Sequence, residues 1–176
     1  MNKHDWSRFL AAVAATFAAV AASAIPVGVT VNGTPLDSGG PSYGAGWLYD
    51  PGSSTLFLFG TEPFTLSGAN ESGGVCVVVL DGATNTVTLS NLTLRATGND
   101  QCAFALRPNA NVLLFLAGTN TLVSGRRRAG LEVAAGRTLS ISHAPGDAAG
   151  ALTATGGEGG AGIGGGEYGA GGMVTV

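Results

Sequence analysis

Three short apolar runs, each closed by turn residues, recur along most of this chain. Self-similarity of that kind limits the fold more than any other feature of the sequence. The middle unit spans residues 101–125, QCAFALRPNANVLLFLAGTNTLVSG. Its first run, CAFAL at 102–106, matches CVVVL at 76–80 one unit earlier, then AGLEV at 129–133 and AGIGG at 161–165. The second runs are VTL at 87–89, VLLFL at 112–116, LSI at 139–141 and VTV at 174–176. The third runs lead to Gly68, Gly98, Gly125 and Gly156, at intervals of 30, 27 and 31 residues. Unequal intervals place the insertions in turns and leave the runs intact.

The runs are short, rich in Val, Ile, Leu and Thr, and bounded by Gly, Asn or Asp, which are strand signals. Three strands per unit predict an all-β chain coiled as a right-handed, three-sided parallel β-helix of about four to five coils. An antiparallel sandwich or barrel of short strands is the competing architecture. Alternation along a strand sorts the two faces. It sends Cys102, Phe104 and Leu106 inward, with Cys76, Val78 and Leu80 stacked on them. Leu131 and Val133 continue the inward rows, and Glu132 faces water. A slip of one residue would bury Glu132, so the pattern selects a register.

Residues 1–24 read as a secretory signal peptide. Lys3 and Arg8 are basic, 9–21 is apolar, and Ala22-Ser23-Ala24 is a cleavage signature. The apolar stretch is shorter than the ~20 residues that a membrane span needs. The uncleaved alternative is an anchoring helix. Cleavage leaves ten acids and six arginines, a net charge near −4, a balance that excludes nucleic acid as partner. The 30 glycines punctuate turns between apolar runs. Residues 25–46 read as an N-terminal strand or cap with a tight turn at Asn32-Gly33, followed by a Gly/Ser loop. Residues 47–176 read as the coiled body, with Phe57, Phe59 and Phe64 as an aromatic plug at its first coil. No polar cap follows the last strand. That end is expected to be truncated, frayed or paired end to end with another copy.

Several phrases carry a resemblance. GWLYDPGSSTLFLFG, AGTNTLVSG, AGLEVAAGRTLSIS, LTATGGEGGAGIGGG and GGMVTV resemble, in order, the repeats of a family of bacterial β-helical surface proteins. That family is often labelled carbohydrate-binding, and one branch is similar to pectin-binding, calcium-associated β-helices. The resemblance covers about residues 46–176. It implies a β-helical fold and a cell-surface polysaccharide ligand. The matching residues belong to core and turns, so no ligand contact carries over.

The residues themselves offer few chemical sites. Arg126-Arg127-Arg128 interrupts the turn before residue 129. Arginines fork onto carboxylates, phosphates and sulfates through two hydrogen bonds, so the triplet reads as a site for an acidic polysaccharide or as a solvated loop. Arg107 and Arg137 lie at equivalent turns and would extend a basic edge. Trp47 and Tyr49 flank a loop and are candidates for stacking on sugar rings, with core packing as the alternative. Cys76 and Cys102, on neighbouring coils, are spaced for a disulfide or for stacking as buried thiols. Asp81 with Asn85, and Asn99 with Asp100, offer oxygens to calcium or serve as turn residues. His143 stands alone in a turn. The acids do not pair on successive outward positions, and the mature chain has no lysine to serve as a lyase base.

The function expected from these readings is an exported, non-catalytic carbohydrate-binding module, secreted or held at the cell surface. A structural or adhesive stalk module is the alternative, and a fragment of a polysaccharide lyase or hydrolase is the third.

Overall fold

A computed structural model of the chain describes residues 26–70, 74–96 and 98–176. The expected signal peptide, residues 1–24, lies outside them. In chain order the strands are β1 (Pro26–Val31), β2 (Thr34–Asp37), β3 (Ser42–Gly44), β4 (Trp47–Asp50), β5 (Thr55–Leu58), β6 (Phe64–Asn70), β7 (Cys76–Val79), β8 (Thr84–Arg95), β9 (Phe104–Leu106), β10 (Asn111–Ala117), β11 (Thr119–Val123), β12 (Leu131–Glu132), β13 (Thr138–His143), β14 (Ala151–Thr155), β15 (Ile163–Gly164) and β16 (Met173–Thr175). A nine-stranded sheet has the order β16-β13-β10-β8-β6-β1-β2, with β11 against β8 and β14 against β11. A seven-stranded sheet has the order β15-β12-β9-β7-β5-β4-β3. Among the described residues there is no helix, and so none long and apolar enough to cross a membrane.

The three-sided parallel β-helix is therefore corrected. The strands gather into two sheets, and both are mixed. β1 pairs antiparallel with β2 and β6, and β4 pairs antiparallel with β3 and β5. Local turns are the cause. Asn32 and Gly33 both take positive φ (50° and 79°), which closes the β1–β2 hairpin. Pro51 and Gly52 reverse the chain between β4 and β5, so residues 47–58 form a hairpin and not a first coil. The expected second and third runs at 84–95 are one strand, β8, which joins two of the three expected sides.

From β5 onward, runs pair in parallel one repeat apart, but the run leading to Gly68 lines up with the second run at 87–89 and not with the run leading to Gly98. Leu56, Val77, Phe104 and Leu131 align across the seven-stranded sheet, and all four are fully buried. Phe64, Val87, Leu114 and Ile141 align across the other. The two rows close on each other in a single apolar core, the arrangement that lets two sheet faces leave water together. Of the expected aromatic plug only Phe64 is buried; Phe57 and Phe59 are half-buried.

Corners hold the repeats in register. Within β8, Ser90 and Asn91 interrupt the in–out alternation, and Asn91 takes φ 50°, so the strand bends there. The fully buried Asn120 bridges neighbouring repeats at this bend. Its Oδ1 accepts from the Leu92 N–H at 2.9 Å, and its Nδ2 donates to the carbonyls of Ala117 (3.2 Å) and Ala151 (3.1 Å). Asp147 ties down the next turn by accepting from the N–H groups of Gly118 (2.8 Å) and Ala149 (3.0 Å). The bond from Gly118, then that from Ala149, holds the Asp147 carboxyl below its ordinary value. At the opposite corner, glycine is needed for close approach. A Cβ on Gly125 would strike the carbonyl oxygen of Gly98, and one on Gly157 would strike that of Gly125.

Two predictions follow from this geometry. Gly125→Ala should lower stability by about 1–3 kcal/mol through overpacking, whereas Gly40→Ala, which meets open space, should leave the urea midpoint nearly unchanged. The Asp147 bonds contribute stability above the ordinary carboxylate value of 3.8. That contribution is lost as pH falls through the lowered folded value. The urea-midpoint difference between wild type and Asp147→Ala should therefore shrink below about pH 4, and NMR titration of Asp147 should give a midpoint under 3.8.

Candidate functional site

Arg126, Arg127 and Arg128 lie in the turn between β11 and β12, with Arg127 at φ 68°. The strain is held by backbone bonds: the Arg127 N–H donates to the Glu158 carbonyl, and the Glu167 N–H donates to the Arg127 carbonyl, both at 2.8 Å. Each guanidinium already faces a carboxylate of the same chain. Arg126 Nε is 2.9 Å from Glu158, Arg127 Nε is 3.0 Å from Glu167, and Arg128 Nε is 3.0 Å from Glu132. The Arg128–Glu132 contact is the most sheltered. It is a charge contact outside hydrogen-bond geometry, and Glu132 is covered by Arg128 instead of facing water. The expected anion site is thus three positive charges set against three negative ones. Arg137 does not extend a basic edge, because its Nε and Nη1 donate to the carbonyls of Leu106 and Ala135. Arg107 remains exposed.

Trp47 and Tyr49 are core residues, 3% and 2% exposed. They occupy the buried positions of an alternating strand, so neither ring offers a face to a sugar. Burial pushes the Tyr49 hydroxyl pKa up, against a lowering hydrogen bond from Ser54.

Cys76 and Cys102 are free, buried thiols. The ladder pairs Val77 with Phe104, which sets Cys76 level with Ala103 and puts Cys102 one residue out of step. The inward set is therefore Val75, Val77 and Val79, not Cys76 and Val78. The Cys102 thiol lies 3.1 Å from the carbonyls of Phe104 and Ala129. Burial, reinforced by the Glu132 charge, pushes it up to about 11, and burial raises Cys76 as well.

The calcium candidates do not converge. Asp81 is exposed, whereas Asn85 is buried and donates to the carbonyls of Gly60 and Glu62. Asn99 and Asp100 are exposed in a turn where Asp100 takes φ 59°. Among the described residues no group of three or more His, Cys, Asp or Glu side chains is placed to hold a metal ion. A shallow depression bordered by Leu36, Asp37 and Tyr43 lacks converging chemistry.

The most ordered chemical array is the outer surface of the nine-stranded sheet. On β8 the outward residues are Thr84, Thr86, Thr88 and Ser90. On β13 they are Thr138, Ser140 and Ser142, and on β6 they are Thr65 and Ser67. Pairing sets them in rows: Thr65, Thr88, Phe115 and Ser142 in one, and Thr86, Leu113, Ser140 and Thr175 in the next. Beyond the bend, Thr93, Thr121 and Thr153 form a further row. Strand spacing puts row members ~4.8 Å apart. On β10 the hydroxyl pattern breaks, because Leu113, 39% exposed, and the half-buried Phe115 face outward. An apolar ridge thus runs between two hydroxyl-bearing strands, and no position on these rows is charged.

The sequence reading missed this ridge because β10 is apolar on both faces. Its run, VLLFL, gives no alternation from which to sort inside from outside. The usable signal lay in the neighbours, where TVTLS and TLSIS alternate cleanly.

No family model matches the chain, and neither curated proteins nor solved structures yield a match.

Both thiols should resist iodoacetamide at pH 8 in the native protein and react once urea unfolds it. Without reductant, the denatured protein should titrate two free thiols. Titration of none would reveal a bond that this packing does not accommodate.

Proposed function

We propose that the chain is an exported, non-catalytic module that binds carbohydrate at a cell surface, through the outer face of the nine-stranded sheet. The observation that carries this reading is the alignment of outward hydroxyls into rows, one residue per repeat. Sugars are recognised by many modest hydrogen bonds combined with apolar contact. A flat array that repeats the same contact on successive strands sums such terms without a deep pocket. The resemblance of residues 46–176 to bacterial carbohydrate-binding surface repeats points the same way, and a signal at residues 1–24 is consistent with export.

A second reading, a structural or adhesive module, draws on a different observation. β14, β15 and β16 are edge strands, and Ile163 and Met173 on them are 36% and 61% exposed. Such an edge can template strand addition.

The discriminating experiment is retention of the purified protein on a panel of insoluble and immobilised polysaccharides, with product analysis of the same mixtures. The expected outcome is retention on at least one polymer without new reducing ends or unsaturated products. Failure to bind any polymer defeats the reading, and release of oligosaccharides defeats its non-catalytic part.

A further inference from the structure

We infer that the ligand is a neutral, extended polysaccharide that lies along β10, its sugar faces on Leu113 and Phe115 and its edge hydroxyls on the strands to either side. This rests on the carbohydrate-binding reading above and adds to it a place, a direction and a ligand class.

The place follows from the pattern of outward side chains. Leu113 and Phe115 are two residues apart on one strand, so they form a ridge parallel to the strand. Thr86 and Ser140 flank Leu113, and Thr88 and Ser142 flank Phe115. The cross-section is therefore hydroxyl, apolar, hydroxyl, repeated twice along β10. A pyranose ring has the complementary section, with C–H groups on its faces and hydroxyls at its edges. Laid flat on the ridge, each ring reaches donors and acceptors on both sides at once. Ser67 contributes less than these positions, because its hydroxyl already bonds Thr30 at 2.7 Å.

The direction follows from the same section. A polymer running across the strands would meet apolar ground once, at β10, and hydroxyls at the neighbouring steps. A polymer running along β10 keeps its faces on apolar ground from Leu113 through Phe115 to Ala117, about 13 Å, and meets polar ground at Asn111, where the strand begins.

The ligand class follows from charge. The outward positions of β6, β8 before the bend, β10, β13 and β16 are Thr, Ser, Asn, Leu, Phe, Ala and Met; the exposed His143 ends β13, and no acid, lysine or arginine lies among them. The arginine triplet that would recruit an acidic polymer is already set against Glu158, Glu167 and Glu132. A carboxylate or sulfate on the ridge would lose water with no cation to receive it, a cost that neutral hydroxyls escape.

The test is depletion of the protein by cellulose, mixed-linkage β-glucan and galactomannan as neutral probes, and by polygalacturonate and alginate as acidic ones, at low and high salt. Four proteins are compared: wild type, Leu113→Ala/Phe115→Ala, Ser142→Glu, and Arg126→Ala/Arg127→Ala/Arg128→Ala. Urea midpoints first establish that each variant is folded. The expected result is binding of a neutral polymer that salt leaves unchanged. Removing the ridge weakens it by about tenfold or more, the effect of deleting a central anchor. Ser142→Glu, which touches no core residue, weakens it as well, so the inference stays testable if the double variant fails to fold. The arginine variant binds like wild type. Two results would overturn the inference while sparing the carbohydrate reading: neutral binding unchanged in both ridge-face variants, or a salt-sensitive preference for acidic polymers that the arginine variant loses. Wild type that binds none of the five probes overturns both.

Discussion

The parallel pairing of equivalent runs is the constraint on which the rest of the structure depends. Once Val77 pairs with Phe104 and Phe104 with Leu131, each inward side chain sits on its counterpart one repeat away. A core built this way has no freedom to choose partners. Shape must match along every row, and a change in one layer is felt by the layers on both sides. The outer surface inherits the same rule. Hydroxyls align because the core residues between them align, and the seven-residue pairing of β8 with β10 sets both faces together.

Register is kept at the corners as much as in the strands. Asn120 has its amide between repeats, on a backbone N–H from one and a carbonyl from the next. The glycine column at 98, 125 and 157 lets backbones approach more closely than any side chain permits. The corner at Asn91 and Gly118 is also one place where repeats change length. Ser67 pairs with Ser90 and Gly68 with Leu92, so β8 holds one residue, Asn91, that β6 lacks. The next repeat adds another there, since Ala117 pairs with Ser90 and Thr121 with Thr93. Growth occurs where the chain turns, and the ladders resume beyond it.

The runs and their turns were legible in the sequence, because strand length, branched residues and glycine punctuation are local properties. Sheet organisation was not. Whether Pro51-Gly52 reverses the chain into an antiparallel hairpin, or passes it on to a new side, is decided by pairing that no local pattern encodes. The cysteines misled for a related reason. Aligning Cys76 with Cys102 looked natural, yet CVVVL is apolar throughout and fits either phase. The structure takes the other phase, with Val75, Val77 and Val79 inside. By residue type and place beside a loop, Trp47 and Tyr49 fit either sugar stacking or core packing. Their spacing of two, on a strand with one face in the core, was the better guide.

The arginines show how a surface can look functional in sequence and be neutral in space. Three adjacent positive charges in an acidic chain fit an external anion or a solvated loop. Glu158 and Glu167 are some 30 to 40 positions later, within a glycine-rich stretch that fold prediction by pattern treats as featureless. The parallel repeats return that stretch beside the triplet, and backbone bonds through Arg127 fix it there. Exposed pairs of this kind add little stability, ~0–1 kcal/mol each. Their larger effect is to remove a field that would otherwise dominate encounters with charged polymers. With that field cancelled locally, the outward rows of β6, β8 before the bend, β10 and β13 present hydroxyls and an apolar ridge without an acid or an arginine among them.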